Sequence, residues 1–203
     1  MTNRLKLLTI LFGALSFSNF ISGQELPKSY ATCIACHGQN AEGNGALSAP
    51  ALAGLDARYL ERQLKYFKKG LRGQSPKDQY GQQMTAFAKS LDDAQIKDLS
   101  LAISKIPGSK SPSTKGDPEQ GKKYFTSNCS SCHGVQGQGN PAFKAPALIY
   151  QDEDYLIRQL MNFRNGVRGT ERADVLGRQM AMMAKILPSD QAAEDVIAYI
   201  KSL

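Results

Sequence analysis

Cys33-Ile34-Ala35-Cys36-His37 and Cys129-Ser130-Ser131-Cys132-His133 contain all four cysteines and both histidines of the 203 residues. In c-type haem attachment, two thiols with this spacing add to the haem vinyl groups, and the adjacent histidine ligates the iron. A single such string also fits a redox dithiol or half a zinc site. A disulfide would not need a histidine after each pair. Two strings therefore predict two haem c groups, attached at Cys33, Cys36, Cys129 and Cys132.

The chain repeats itself over most of its length. First-copy residues match second-copy residues at a constant offset of 96 positions, with no gap between Cys33 and Leu91. The matched pairs are Cys33 and Cys129, Pro50 and Pro146, Tyr59 and Tyr155, Gly70 and Gly166, Met84 and Met180, and Leu91 and Leu187. A fixed period of this kind indicates a duplicated structural unit, so each copy should form an equivalent domain with its own haem.

A segment rich in proline, glycine and serine separates the two copies. This composition is typical of a linker. We predict a first domain at 24–106, a linker at 107–118 and a second domain at 119–203. Each domain has about 85 residues, near the lower limit for an independent core, and a covalent porphyrin would add apolar surface to that core.

Residues 1–23 have the pattern of a secretory signal peptide. Arg4 and Lys6 form a short basic start, an apolar run follows at 7–17, and Gly23 is the candidate last residue before cleavage. The run is too short and too interrupted for a typical membrane span. A cleaved signal predicts an exported, periplasmic protein, and an uncleaved N-terminal anchor is the alternative.

The hydrophobic spacing predicts an all-α fold of helices joined by long loops. Apolar residues at 59, 60, 64 and 67 form one helical stripe, and Gly70 follows as a stop signal. The predicted helices are 59–69, 92–105, 117–126, 155–165 and 189–202. Met84 and Met180 fall outside these helices, in segments expected to be loops.

The histidine count limits the choice of iron ligands. His37 and His133 are the proximal ligands, and no other histidine exists. The sixth ligand must therefore be another group, or the position stays open. Met84 and Met180 each lie 47 residues after a histidine, so they are the best candidates. Methionine ligation raises the reduction potential, and a six-coordinate iron has no open site, which favours electron transfer over catalysis.

The other methionines of the mature chain lack a matched methionine in the first copy. Met161, Met182 and Met183 correspond to Lys65, Ala86 and Phe87. Methionine is a common filler of irregular core space. We therefore expect these three side chains to pack in the core, although Met182 or Met183 would replace Met180 if that segment shifted.

Groups around the ligands follow from the same repeat. A ligating imidazole usually donates its second N–H to a carbonyl or carboxylate, and Pro50 and Pro146 lie thirteen residues after each histidine. They are candidate sources of that carbonyl, and the alternative is a rigid turn without the bond.

Two arginines and two tyrosines are further candidates for the surroundings of the haems. Arg72 and Arg168 are of the type that pairs bidentately with haem propionates, with solvated surface arginines as the alternative. Tyr59 and Tyr155 are expected to pack in the haem pocket or core rather than relay electrons.

The charge pattern argues against a nucleic-acid-binding role. The formal charge is +7: Arg4 and Lys6 supply two units, and the two mildly basic halves, 24–105 and 106–203, carry +3 and +2. No basic run with interleaved aromatic residues is present. The positive surplus suits docking on acidic protein surfaces or peripheral association with anionic membranes, and ordinary surface composition explains it equally well.

The chain resembles the class I di-haem cytochromes c, most closely the cytochrome c4 type. The resemblance rests on the following paired motifs: Cys-x-x-Cys-His-Gly, Ala-Pro-Ala-Leu, Tyr-Leu-x-x-Gln-Leu-x-x-Phe-x-x-Gly-x-Arg and Met-x-x-x-Ala-x-x-Leu. It implies two all-α mono-haem domains with their haems close to the domain interface. It also supports Met84 and Met180 as axial ligands. The second copy departs from the first by its Ala-Met-Met after Met180 and by one extra residue in its last helix.

The resemblance implies a periplasmic carrier between an upstream quinol-oxidising complex and a haem-copper terminal oxidase or reductase. One alternative is the cytochrome c subunit of a periplasmic dehydrogenase or sulfur-compound oxidoreductase. A di-haem peroxidase is disfavoured: it needs an open or openable iron site and a general base or charge stabiliser beside it, and no spare histidine exists. We therefore expect an electron-transfer protein rather than an enzyme.

Overall fold

The computed structural model describes residues 26–203, so the predicted signal peptide at 1–23 lies outside the described residues. The helices are α1 (Ile34–His37), α2 (Ala57–Lys68), α3 (Gln79–Lys89), α4 (Asp93–Ile103), α5 (Pro118–Tyr124), α6 (Ser130–His133), α7 (Glu153–Arg164), α8 (Val175–Ile186) and α9 (Asp190–Ser202). Short 3-10 turns precede α1 and α2, and a π-helical turn joins α5 to α6. The all-α prediction is confirmed. No helix within 26–203 has the length and apolarity needed to cross a membrane.

All five predicted helices are present, with ends within two residues of the expected positions. Each begins at a side-chain cap that accepts hydrogen bonds from backbone N–H groups of the first turn. Asp92 adds a reciprocal bond with Gln95, which completes a capping box. Asp117 caps α5 with Pro118 at the first position, as the sequence predicts.

The expectation that Met84 and Met180 lie in loops is wrong, because they lie in α3 and α8. The buried positions of α3 include Gly81, Thr85 and Ala88. These small residues let the helix pack closely on the turn at Gly73, where an added Cβ would lie 2.3 Å from the Gly81 carbonyl oxygen. A face of small residues gives little hydrophobic periodicity, so the pattern did not reveal the helix.

The segment 107–117, which lies between α4 and α5 and within the predicted linker, is fixed to the second domain. Glu153, at the start of α7, accepts hydrogen bonds from the Ser113 hydroxyl at 2.5 Å and from the Thr114 N–H at 3.0 Å. Gly108 lies against the Tyr150 ring, where an added Cβ would be 2.4 Å from Cγ. The segment has no core of its own, but it docks on its neighbour.

The domains pack through an interface with internal two-fold character. Arg62 Nη2 of α2 donates to the Lys144 carbonyl at 2.8 Å. Its repeat mate Arg158 of α7 donates to the Ser48 carbonyl at 2.7 Å. Because Ser48 and Lys144 are also repeat mates, each domain offers the same patch to the other, as the subunits of a symmetric dimer do.

Candidate haem sites

Each Cys-x-x-Cys-His string forms a short helix at the edge of a cavity. Cys33 and His37 line this cavity in the first domain, and Cys129, Cys132 and His133 line it in the second. Cys36 is half-buried on α1 but is not among the lining residues. Neither cysteine pair forms a disulfide. Burial raises the pKa of the Cys129 thiol to about 11, so before haem attachment this group is protonated at neutral pH.

Both histidines are held by the carbonyl that the sequence singles out. His37 Nδ1 donates to the Pro50 carbonyl at 2.9 Å, and His133 Nδ1 donates to the Pro146 carbonyl at 2.9 Å. The alternative of a turn without this bond is therefore wrong. Burial lowers the pKa of both imidazoles and outweighs the raising effect of the carbonyl bond. The rings are thus neutral at pH 7, and Nε2 is left for a metal.

A glycine in each domain makes this arrangement sterically possible. The N–H of Gly43 donates to the His37 carbonyl at 2.8 Å, and Gly139 does the same for His133 at 2.7 Å. Both glycines have positive φ, at 85° and 83°. A Cβ at either position would lie 2.5 Å from the backbone nitrogen of the residue after the proline. Only glycine lets the histidine loop and the proline loop approach this closely.

One continuous cavity of about 420 Å³ spans both domains. Met84 and Met180 line it together with both histidines. Its other lining residues are mainly apolar, among them Leu60 and Phe67 in the first domain and Leu156 and Phe163 in the second. The structure therefore brings each predicted ligand pair to one cavity and opens the two sites towards each other.

The remaining methionines do not all occupy the positions expected of core residues. Met161 is half-buried and packs against the second core. Met182 is 62% exposed and Met183 is 36% exposed, so the expectation of core packing is wrong for these two. Met183 also lines the cavity, whereas Met182 faces solvent beyond it.

Arg72 and Arg168 lie at the domain interface and line the same cavity. Each is only 8% exposed, so the alternative of solvated surface arginines is wrong. Each guanidinium stacks on a phenylalanine of its own domain, with 4.4 Å between Cζ and the ring centroid. Their buried Nε–H groups have no hydrogen-bond partner among residues 26–203.

Tyr59 and Tyr155 also line the cavity. The Tyr155 hydroxyl oxygen accepts a hydrogen bond from Arg72 Nη2 at 3.3 Å, across the interface. Arg158 stacks on the Tyr155 ring and Arg62 on the Tyr59 ring. Both tyrosines therefore belong to the pocket wall between the domains, as the sequence led us to expect.

Gln63 and Gln159 stand in the matched Arg-Gln-Leu strings, but the sequence alone did not predict a role for them. Both accept hydrogen bonds from the buried arginines. The available signal was an identical polar residue, in both copies, on a helix that is otherwise apolar on that face.

The residues present fit a haem group in each domain. The cavity is apolar, each domain contributes a neutral histidine and a thioether, and two cysteines stand beside each histidine. The unpaired Nε–H groups of Arg72 and Arg168 are donors for an anionic substituent such as a propionate. Where a haem binds, its iron supplies one-electron redox chemistry.

A family model described as cytochrome c matches residues 22–101 and again 118–203. The chain belongs to the cytochrome c family. It is 33% identical over 171 residues to a thiosulfate dehydrogenase electron acceptor of Thiomonas intermedia, covering 77% of this chain and 73% of the relative.

Solved structures agree with this family membership. A cytochrome c4 of Acidithiobacillus ferrooxidans has a TM-score of 0.69 and 31% identity, covering 86% of this chain and 99% of that one. Reduced cytochrome c4 of Pseudomonas stutzeri has a TM-score of 0.70 and 29% identity, covering 90% and 97%. This cytochrome c is therefore of the di-haem, cytochrome c4-like type, with two covalent haem c groups. It is an electron carrier.

Proposed function

We propose that each haem iron has one histidine and one methionine as axial ligands. His37 pairs with Met84 and His133 with Met180, while Cys33, Cys36, Cys129 and Cys132 hold the porphyrins. The observation that carries this proposal is the single cavity lined by both histidines and both methionines. The Pro50 and Pro146 carbonyls orient the imidazoles, and Arg72 and Arg168 bind propionates.

The protein acts in the periplasm as a shuttle rather than as an enzyme. It accepts electrons from a quinol-oxidising complex and delivers them to a haem-copper oxidase or to a reductase. The signal-peptide pattern of residues 1–23 supports this location, and cleavage near Gly23 is part of the proposal. An iron with both axial positions filled exchanges electrons without binding a substrate.

A second candidate function is electron acceptance from a sulfur-compound dehydrogenase. It is favoured by the similarity to a thiosulfate dehydrogenase electron acceptor. A carrier with docking surfaces for several redox proteins would serve both routes, so the two candidates differ in the donor and not in the haem chemistry.

Stopped-flow reduction and reoxidation separates these functions. The reduced protein should be reoxidised by membranes containing a haem-copper oxidase, at a rate that falls as salt is raised, because docking is electrostatic. Rapid reduction by purified thiosulfate dehydrogenase with thiosulfate would support the second candidate. Peroxide-dependent turnover by the isolated protein would contradict the carrier role.

Signal cleavage is tested separately. N-terminal sequencing of the exported protein should show a mature chain that starts near residue 24.

A further inference from the structure

Four side chains from the two domains form one hydrogen-bonded ring at the interface. Within the domains, Arg72 Nη1 donates to Gln63 Oε1 at 2.7 Å, and Arg168 Nη1 donates to Gln159 Oε1 at 2.7 Å. Across the interface, Arg72 Nη2 donates to Gln159 Oε1 at 3.1 Å. Arg168 Nη2 likewise donates to Gln63 Oε1 at 2.9 Å. Each glutamine oxygen therefore accepts from both arginines.

The ring carries two buried positive charges without a paired carboxylate. None of the ion pairs within residues 26–203 includes Arg72 or Arg168. Asp78 attracts Arg72, but its side chain caps α3 by accepting from the Gly81 N–H at 3.0 Å. Buried charges without a counter-ion are costly, so the ring is suited to anions that reach it from the cavity.

The two arginines differ in their electrostatic surroundings. Burial lowers the pKa of Arg72, but Tyr155, Tyr59 and Asp78 raise it above its ordinary value on balance. Burial lowers the pKa of Arg168, and the adjacent Arg72 lowers it further. Burial raises the pKa of Tyr155, yet Arg72 and Arg168 together hold this pKa below its ordinary value. The local field therefore favours negative charge at the interface.

We infer that Gln63 and Gln159 are positioning residues that act across the interface, each orienting the other domain's arginine towards a haem propionate. This inference rests on the haem sites proposed above. A glutamine oxygen orients a guanidinium without neutralising it, which a glutamate would not achieve. The two haem environments thus share their acceptors, and a change in one domain reaches the haem of the other.

The competing view is that the ring only holds the domains together. In that case Gln159 would affect the first haem only if the domains separated. A test must therefore measure the first haem's potential after a change in the second domain, and must check the domain packing independently.

The test uses the haem-loaded full chain with Met180→His, which lowers the second haem's potential because methionine raises it. The higher of the two redox waves then reports the first haem alone. Adding Gln159→Leu should lower the first haem's reduction equilibrium constant by about three- to tenfold, where tenfold corresponds to about 59 mV for one electron. The reason is that Arg72 loses an acceptor that holds its positive charge near that haem.

Gln120→Leu, on the exposed face of α5, is the matched control and should leave the first wave in place.

Small-angle scattering should show an unchanged radius of gyration for Gln159→Leu. If the Gln159→Leu variant expands, Gln159→Asn replaces it: the shorter side chain stays polar but withdraws the acceptor from Arg72, and it should still lower the first wave. A first wave that does not move in a compact variant overturns the inference. Failure of the haem proposal is separately visible, as a parent protein with fewer than two haems or without methionine ligation.

Discussion

The two domains are alike around the histidine sites and differ on their solvent-facing surfaces. The imidazole-to-carbonyl distance is 2.9 Å in both, whereas the outer faces of α3 and α8 have different chemistry. Val175, Met182 and Ile186 of α8 are 59%, 62% and 54% exposed, and their repeat mates are Gln79, Ala86 and Ser90. The residues at the iron-ligand loops are therefore matched, whereas solvent-facing positions have diverged: α8 exposes aliphatic side chains there, while α3 exposes the aromatic Tyr80 and Phe87.

The interface between the domains is also only partly symmetric. The arginine contacts are reciprocal, but Tyr150 packs against its own repeat mate, Gly54, where an added Cβ would lie 2.4 Å from the ring. Gln151 Nε2 donates to the Ala51 carbonyl at 2.7 Å, without a counterpart because its mate is Leu55. An identical residue at positions 54 and 150 would not fit this contact. Two tyrosines would clash, and two glycines would leave the space of the Tyr150 ring unfilled.

The largest expected effect comes from the axial methionines. Met84→Ala and Met180→Ala should each remove about half of the weak near-infrared band of methionine-ligated ferric haem and lower one of the two potentials, because each removes one ligand. Near-infrared spectra of the oxidised variants check this. The double variant should lose the band completely.

Met183→Ala is the matched control in the second domain and should keep the full band. The opposite pattern, with the band kept in Met180→Ala and reduced by Met183→Ala, would move the ligand by one turn of α8. That result would show that the two domains take their axial methionine from different helix positions.

The next effect concerns the glycines behind the histidines. Gly43→Ala and Gly139→Ala should each destabilise their own domain by about 1–3 kcal/mol, because a non-glycine residue at this positive φ is strained and its Cβ meets backbone. Denaturant unfolding followed by the haem absorbance measures this. Equal losses of stability for the two variants would show that both histidine loops are constrained in the same way. A loss at only one glycine would show that the two histidine loops are not equivalent.

Much of this architecture was predictable because haem chemistry uses few residue types. The cysteines, the histidines and the offset of 96 determined the domain count, and capped amphipathic stripes located five helices. The α3 and α8 helices were missed because Gly81 and Gly177 interrupt the pattern and their buried faces use small residues. The Arg72–Gln159 contact joins residues 87 positions apart in different domains, so no local pattern could reveal it.

A smaller loss of stability is expected in the second domain alone. Glu153→Gln should destabilise that domain by about 1 kcal/mol, because hydrogen bonds to a charged acceptor are stronger than those to a neutral one. Its repeat mate is Ala57, so the first domain has no equivalent of this linker contact. Hydrogen exchange at residues 113–115 should increase in the variant. Unchanged protection there would show that the linker is held by other contacts.

The same carboxylate predicts a pH dependence. Burial raises the pKa of Glu153, but the hydrogen bonds from Ser113 and Thr114 outweigh it and hold the pKa below the ordinary 4.5. A depressed folded-state pKa stabilises the fold above about pH 4.5 and loses this contribution as the pH falls through the folded value. Protection of the linker amides, corrected for the intrinsic pH dependence of exchange, should therefore fall in acid for the parent and stay level for Glu153→Gln.

The smallest effect is expected at the neighbouring exposed pair of Lys115 and Asp154. Asp154→Asn should leave the free energy of unfolding almost unchanged, since exposed ion pairs contribute little. A loss as large as that of Glu153→Gln, measured in the same urea titration, would show that the linker is held mainly by charge attraction.

We expect one chain to hold two equivalent His/Met haems for electron transfer. A redox titration of the purified protein by visible and near-infrared spectroscopy, with a haem count per chain, tests this expectation most directly. We predict two haems per chain, both low-spin, with the full methionine band in the oxidised state. One haem per chain, or a high-spin ferric signal from either haem, would contradict the account.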